Sequence, residues 1–80
     1  MSTIINAREV FNLQVHSNLK TILDDRGISI RQVSRDINYR FDSVRQLYNN
    51  ETERYPRELL AKLCEHLKIR ISDLLILSEE

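Results

Sequence analysis

Apolar residues recur at helical spacing in five short segments that follow one another between Ser17 and Leu77. In the first segment Leu19, Ile22 and Leu23 stand at positions i, i+3 and i+4, which places them on one face of a helix. Connections of about two to six residues separate the segments, a spacing typical of helices that pack against their neighbours. The sequence therefore predicts an all-α fold, a compact five-helix domain.

The size and composition of the chain agree with one small domain. Its 80 residues are 41% hydrophobic, which is enough for a single modest core. One glycine and one proline exclude a disordered chain, and one cysteine excludes an internal disulfide or a zinc cluster built on cysteines. No apolar run approaches the roughly 18–20 residues that cross a bilayer, and no secretory signal follows Met1. We therefore expect a cytoplasmic protein that does not contact a membrane.

The start of the chain differs from the rest and predicts an N-terminal arm. Leu13 and Val15 alternate with polar neighbours, which is the period of a half-buried strand. A helix over residues 6–11 is the alternative for the segment before them. The chain is therefore divided into an arm over residues 1–16, which includes a possible short strand, and a helical domain over residues 17–80.

Capping residues mark where the first two helices begin and end. Ser17 can cap the N-terminus of a helix over residues 18–26, and Gly27 is the expected stop after it. Ser29 is suited to cap the second helix. Asn38 stands where the chain must turn sharply, and asparagine tolerates the left-handed conformation that such turns often use. Two short helices joined by a tight turn predict a helix-turn-helix arrangement.

Similar signals predict the last three helices. An apolar i, i+3, i+4 face indicates a third helix over about residues 41–49. Pro56 opens a fourth helix, because its missing N–H costs nothing in the first turn. Ser72 is expected to cap a fifth helix that carries three leucines and continues to Leu77.

The net charge of the chain is zero, but the charges are unevenly distributed. Twelve basic side chains balance twelve acidic ones. Five arginines lie within twenty residues, at Arg26, Arg31, Arg35, Arg40 and Arg45. Only Asp36 and Asp42 oppose them in that window. A basic surface on a neutral protein suits a local anionic partner, and a solvated helix face is the plain alternative.

The spacing of residues between Ile28 and Leu47 carries a resemblance to a known family. The order is Ile28-Ser29, three variable residues, Val33-Ser34, two variable residues, Ile37-Asn38, five variable residues, Val44, two variable residues and Leu47. This order resembles the Cro/cI-type helix-turn-helix family of phage repressors, also called the XRE family. Ser34 and Asn38 replace the alanine and glycine that the family prefers, and both changes are mild.

The resemblance covers about residues 18–77. The Leu-x-x-x-Cys-x-x-Leu pattern that ends at Leu67, followed by Asp73-Leu74-Leu75, is similar to a small single-domain branch found on phages and mobile elements. The resemblance implies a lambda-repressor-like fold. It also implies a sequence-specific DNA-binding transcriptional regulator, a repressor in the first instance, whose helix at about residues 41–49 reads the major groove.

Positions that face DNA in this family map onto this sequence residue by residue. The base-reading candidates are Arg40, Phe41, Asp42, Arg45 and Gln46. The phosphate-contacting candidates are Ser29, Arg31, Arg35, Asn49 and Asn50. Arginine suits guanine, glutamine suits adenine, and aspartate can accept from cytosine. Relatives bind double-stranded DNA as dimers, so we expect a homodimer that forms through the N-terminal arm or through the Leu74–Leu77 segment.

Phe41 and Asp42 also support a different class of function. An acidic side chain in the groove repels phosphate unless it meets a donor, and an exposed phenylalanine can contact a protein instead of DNA. The alternative is a protein-interaction module on a helix-turn-helix scaffold, such as an antirepressor or an antitoxin-like partner. It would use Tyr39, Phe41 and Tyr48 as contact residues and would not bind DNA.

Residues typical of catalysis or metal binding are scattered in this sequence. Cys64 lies on the apolar stripe of the fourth helix and is interpreted as a small buried hydrophobe, whereas His66 faces away from it. Asp24 and Asp25 are neighbours in sequence, but adjacent helix positions point about 100° apart. We find no phosphate-binding glycine loop and no metal-ligand spacing. We therefore expect no enzyme activity, no metal and no small-molecule cofactor.

Overall fold

Five helices and two strands form the part of the chain that the computed structural model describes, residues 13–79. In order they are β1 (Leu13–Ser17), α1 (Leu19–Arg26), α2 (Ile30–Ile37), α3 (Phe41–Tyr48), α4 (Arg57–Leu67), α5 (Ile71–Leu74) and β2 (Leu75–Glu79). The expected five-helix fold with a short strand is confirmed. The helix considered over residues 6–11 lies outside the described residues. Among residues 13–79, no helix is both long and apolar enough to cross a bilayer.

One apolar core holds the five helices together, and every helix contributes to it. The buried residues are Leu19, Leu23, Val33, Ile37, Val44, Leu47, Leu59, Leu63, Leu67 and Leu74. They follow the helical spacing of the sequence, and those of α4 stand at every fourth position. A fully buried leucine or valine stabilises the folded state by about 1.5–3 kcal/mol relative to exposure, so this core is the main source of stability.

The turn between α2 and α3 depends on Asn38, which has a left-handed backbone with φ 56° and ψ 54°. Its N–H donates to the carbonyl oxygen of Arg35 at 3.2 Å, and the N–H of Tyr39 donates to that of Ser34 at 3.0 Å. These two bonds form a Schellman motif, which satisfies the last carbonyls of α2. The expected role of Asn38 in the turn is confirmed.

Substituting Asn38 tests this turn. Asn38→Ala is expected to lower the free energy of unfolding by about 1–2 kcal/mol, because alanine has a steric penalty in the left-handed region. Asn38→Gly is the matched control, because glycine adopts positive φ at no steric cost. Urea denaturation of both variants measures the difference. Equal stability of the alanine and glycine variants would contradict the assigned backbone strain.

The two strands lie at opposite ends of the described chain and pair with each other. They run antiparallel, with Val15 opposite Leu77 and Ser17 opposite Leu75. The expectation of a fifth helix that continues to Leu77 is therefore wrong, because α5 ends at Leu74. Its capping was also wrong, since the N–H of Arg70 donates to the carboxylate of Asp73 at 3.0 Å and Arg70 precedes the helix. The residues after Leu74 form a strand because β1 supplies partners for their backbone N–H and C=O groups. A helix over the same residues could not form these hydrogen bonds.

Side chains that bind the ends of other helices fix α4 against α1 and α2. The guanidinium of Arg26 donates to the carbonyl oxygen of Leu67 at 2.6 Å, at the C-terminus of α4. Lys62 Nζ donates to the carbonyl oxygen of Ile37 at 3.0 Å, at the C-terminus of α2. Both cations meet the negative end of a helix dipole. These two hydrogen bonds hold α4 against α1 and α2, and they thereby fix the position of the helix pair α2–α3.

Candidate nucleic-acid interface

Helices α2 and α3 share the core through their inner faces and expose the opposite faces to solvent. Val33 and Ile37 of α2 are buried, as are Val44 and Leu47 of α3. Most of the candidate residues are exposed, namely Ser29, Arg31, Arg35, Arg40, Phe41, Asp42, Gln46, Asn49 and Asn50. Exposure on two adjacent helices places these side chains within reach of an external partner.

Ser29 is the N-cap residue of α2, and its hydroxyl can still donate a hydrogen bond to an external partner. Its Oγ accepts a hydrogen bond from the N–H of Gln32 at 3.0 Å, which caps the helix as expected. A hydroxyl also carries one hydrogen, and this hydrogen remains to be donated. The helix dipole adds partial positive charge at the same end of α2.

Phe41 and Arg31 form a pair at the junction of α2 and α3. The guanidinium carbon of Arg31 lies 4.9 Å from the centre of the Phe41 ring, which is within the range of a cation–π contact. Phe41 is 37% exposed and is not one of the buried core residues. Phe41 therefore contacts the side chain of Arg31, which is a phosphate-contacting candidate, and keeps part of its own surface accessible.

Arg45 is held by two carboxylates. Its Nε lies 3.7 Å from Oδ1 of Asp42, and its Nη1 lies 3.5 Å from Oε1 of Glu51. Its side chain is 38% exposed. Arg45 is thus only partly exposed, whereas Gln46 beside it is exposed. Glu51 follows α3 in the loop, and periodicity gives no signal for its contact with a helix residue six positions earlier.

Asn50 has a structural role besides any contact with phosphate. Its side-chain Oδ1 accepts from the N–H of Ser17 at 2.9 Å, which ties the end of β1 to the end of α3. Its backbone has φ 60°, in the left-handed region that asparagine tolerates. The amide NH₂ group therefore remains for an outside acceptor. Asn49, the C-cap residue of α3, is exposed.

A polar cluster that sequence analysis missed joins α1 to α3. The hydroxyl of Tyr48 donates to Oδ1 of Asp24 at 2.7 Å, and Lys20 Nζ donates to Oδ2 of Asp24 at 3.1 Å. These bonds, first the one from Tyr48 and then the one from Lys20, hold the pKa of Asp24 below its ordinary value. The hydrogen bond to Asp24 raises the pKa of Lys20. The cluster fixes the C-terminal turn of α3 relative to the domain.

The pKa of Asp24 reports this cluster. Tyr48→Phe is expected to move the pKa of Asp24 up towards its ordinary value, because it removes the largest contribution. NMR titration of the Asp24 carboxyl group measures the change. In the unmodified protein the cluster stabilises the fold above the ordinary carboxyl pKa, and this stabilisation is lost as pH falls through the lower folded-state pKa. An unchanged pKa in Tyr48→Phe would contradict the assigned hydrogen bond, and Tyr39→Phe is the matched control.

Asp36, an acid within the arginine-rich window, is occupied by partners on α2 and α4. Gln32 Nε2 donates to its carboxylate at 3.0 Å, and His66 Nε2 lies 3.4 Å from it.

Cys64 is half-buried, and burial raises the pKa of its thiol, so it is a poor nucleophile. Across residues 13–79, no three His, Cys, Asp or Glu side chains lie close enough together to hold a metal ion.

The family model of the Cro/C1-type helix-turn-helix DNA-binding domain matches residues 18–80. The chain belongs to this family. A protein from Bacteroides fragilis that is proposed to bind DNA has a similar structure, with a TM-score of 0.68 at 14% identity over 79% of this chain and 100% of that chain. The transcriptional regulator VanUg has a TM-score of 0.68 at 18% identity over 100% of this chain and 99% of that chain. At these identities the likeness shows the fold alone. No curated protein has a matching sequence.

Within the Cro/C1-type domain, the helix pair α2–α3 has three supports. The Lys20–Asp24–Tyr48 cluster holds α3, Lys62 holds the C-terminus of α2, and Asn50 holds β1. The exposed surface of the domain combines Arg31, Arg35 and Arg40 with the carboxylates around Arg45. It is basic where Arg31 and Arg40 lie, whereas the group of Arg45 with Asp42 and Glu51 carries one net negative charge.

Proposed function

We propose that the protein is a sequence-specific DNA-binding transcriptional regulator that reads the major groove with α3. The observation that carries this proposal is the exposure of Arg40, Phe41 and Asp42 at the start of α3, beside the capped N-terminus of α2 and in contact with it through Arg31. In this geometry one helix enters the groove while the other lies across the backbone. Family membership supports the same conclusion.

Five side chains on or just before α3 are proposed to read bases: Arg40, Phe41, Asp42, Arg45 and Gln46. Gln46 is exposed and suits a bidentate contact with adenine. Arg40 precedes the helix and suits guanine, and the exposed part of Phe41 suits a thymine methyl group. Asp42 can accept from cytosine N4 through the carboxylate oxygen that Arg45 leaves available.

Phosphate contacts are proposed for Ser29, Arg31, Arg35, Asn49 and Asn50. The Ser29 hydroxyl hydrogen and the two arginine guanidinium groups supply donors along α2. The amide groups of Asn49 and Asn50 supply donors at the end of α3. Such contacts orient the domain on DNA but carry no base information of their own.

A homodimer that forms through the two-stranded sheet completes the proposal. Leu13, Val15 and Leu77 are 40%, 50% and 61% exposed. Val15 stands directly opposite Leu77, and residues two apart on a strand share a face, so these side chains form one apolar patch. This patch is proposed to pack against the same patch of a second copy of the chain. Two half-sites about 34–36 Å apart would then be bound together.

Repression is the proposed direction of regulation. A bound dimer excludes other proteins from the DNA it covers, so occupancy alone is enough to repress. Activation needs an additional contact with the transcription machinery. A reporter gene placed behind the selected site should therefore lose expression when the protein is present. An increase in expression would reverse this part of the proposal.

Selection of bound duplexes from a random pool at physiological salt tests DNA binding directly. The expected result is enrichment of a symmetric site with two half-sites. Gln46→Ala should then lose about 1–3 kcal/mol at one base pair, whereas Arg31→Ala should weaken binding to all sequences alike. Identical behaviour of the two variants would refute the division between reading and positioning residues. Failure to enrich any sequence would refute DNA binding and favour a protein partner.

Sedimentation equilibrium tests the dimer separately. Val15→Lys should shift the protein towards the monomer, because it places a charge on the apolar patch of the sheet. Gln14→Lys is the matched control on the opposite face of β1. A monomer mass that does not change with concentration in the unmodified protein would remove the dimer from the proposal.

A further inference from the structure

Glu51 is the acid closest to Arg45 that does not itself stand on α3. Its Oε1 lies 3.5 Å from Arg45 Nη1, whereas the contact of Asp42 is with a different nitrogen of the guanidinium group, Nε. Asp42 is one turn earlier on the same helix, so its distance from Arg45 follows from helical geometry. The position of Glu51 depends instead on how the chain leaves α3.

The backbone after α3 fixes Glu51 at this position. The N–H of Asn50 donates to the carbonyl oxygen of Leu47 at 3.2 Å, and the N–H of Glu51 donates to that of Gln46 at 2.8 Å. With Asn50 at φ 60°, these bonds form a Schellman motif. The side chain of Asn50 is in turn bound to the N–H of Ser17. The acid at position 51 is therefore held by the fold and not by a flexible loop.

The arrangement orients Arg45 and leaves three of its five donors available. A guanidinium group carries five N–H donors, and each of the two carboxylates can take one through the atoms they face. Both hydrogens of Nη2 remain, together with the second hydrogen of Nη1. A bidentate contact with the O6 and N7 atoms of guanine needs two such donors side by side. The cost is negative charge close to the DNA backbone, which lowers affinity for all sequences.

We propose that Glu51 is a positioning residue that fixes Arg45 for the recognition of one guanine and so increases specificity at the expense of affinity. This inference rests on the proposed function. A long arginine side chain loses conformational entropy when it binds, and a carboxylate that restrains it in advance reduces that loss on binding. Glu51 acts through Arg45 and makes no contact with the bases itself.

The test compares Glu51→Ala with Glu53→Ala on the selected duplex. Glu53 is exposed, lies two residues further along the same loop and forms no ion pair among the described residues, so its loss changes the net charge equally. Both variants should bind non-specific DNA more tightly. Only Glu51→Ala should reduce the preference for guanine, by about two- to fivefold at one base pair, the range typical of an exposed ion pair. Glu51→Gln should fall between the two.

Two further measurements separate positioning from a general structural effect. In free protein, ¹⁵N relaxation of the Arg45 Nε–H group should show greater mobility in Glu51→Ala and no change in Glu53→Ala. In an Arg45→Ala background, Glu51→Ala should no longer alter the preference for guanine, as expected for two residues that act as one unit.

The possible outcomes distinguish this inference from the proposed function. Equal base preference in Glu51→Ala and Glu53→Ala, or a loss that persists without Arg45, overturns the role of Glu51 while DNA binding stands. An enriched site at which Arg45→Ala changes no base preference also overturns it. If the unmodified protein enriches no duplex, both the proposed function and this inference fall.

Discussion

Raising the salt concentration from about 50 to about 200 mM is expected to weaken binding of the dimer to its selected duplex roughly a thousandfold. Each phosphate contact releases condensed counterions and contributes about −0.9 to the slope of log affinity against log salt. Three exposed cations are counted: Arg31 and Arg35, which are proposed to contact phosphate, and Arg40, whose charge also displaces counterions although it is proposed to read a base. Arg45 is omitted from this count, because two carboxylates already lie beside it.

The slope also reports the number of protomers. Three contacts give about −3 for one protomer and about −5 to −6 for a dimer, so a monomer would lose only about fortyfold over the same range. Fluorescence anisotropy at several salt concentrations measures the slope. Arg31→Ala should make it less steep by about 0.9 per protomer, and Arg70→Ala, at an exposed position before α5, should leave it unchanged. A flat response would contradict the electrostatic part of the proposed function.

Leu63→Ala is expected to lower the free energy of unfolding by about 2–5 kcal/mol, which is a large part of the stability of a domain this small. Leu63 is fully buried at the centre of α4, among residues from the other helices. Removing its side chain loses the burial of apolar surface and leaves a cavity that rigid neighbours cannot fill. A large fraction of the variant should be unfolded at physiological temperature.

Chemical denaturation followed by circular dichroism measures this loss. Ile71→Ala is the control, because Ile71 is 51% exposed and its truncation should cost about 1 kcal/mol or less. A similar cost for the two substitutions would mean that α4 does not form the centre of the core. Full retention of stability in Leu63→Ala would contradict the assigned burial.

Patterns within one helix predicted its structure well, because neighbours in sequence decide them. The i, i+4 spacing of Val33 and Ile37 identified the buried face of α2, and Ser29 was recognised as its cap. The left-handed turn at Asn38 was predicted from the residue type alone. Each of these features depends on contacts between residues no more than about four positions apart, which periodicity and capping rules describe.

Contacts between distant segments were not predictable in the same way. The segment from Leu75 to Glu79 has enough leucine for a helix, but it pairs with β1 at the other end of the described chain. Arg26 stands in the last turn of α1, and its guanidinium binds the carbonyl oxygen of Leu67 at the end of α4, a contact between residues 41 positions apart. Polar groups bond to the partners that the folded chain brings close to them. The local preference of a segment for helix or strand is too weak to prevent this.

The candidate interface shows the same division. Exposure of Arg31, Arg40 and Gln46 agrees with their positions on the helix faces. The contact of Arg45 with Glu51 and the hydrogen bond from Ser17 to Asn50 depend on the turn after α3 and on the location of β1. The first contact uses a donor of Arg45, and the second uses the side-chain oxygen of Asn50. Both therefore reduce the hydrogen-bonding groups that these side chains can offer to DNA.

The order of apolar, small and capping residues was by itself sufficient to specify five helices and the family to which the chain belongs, because a helix buries one face at a fixed period. Tertiary structure alone decided the end of α5, the pairing of β2 with β1 and the restraint of Arg45. The first two require segments that are far apart in sequence to meet, and the packing of the whole domain around its core brings them together. The third depends on the turn after α3, which the hydrogen bond from Ser17 to Asn50 ties to β1.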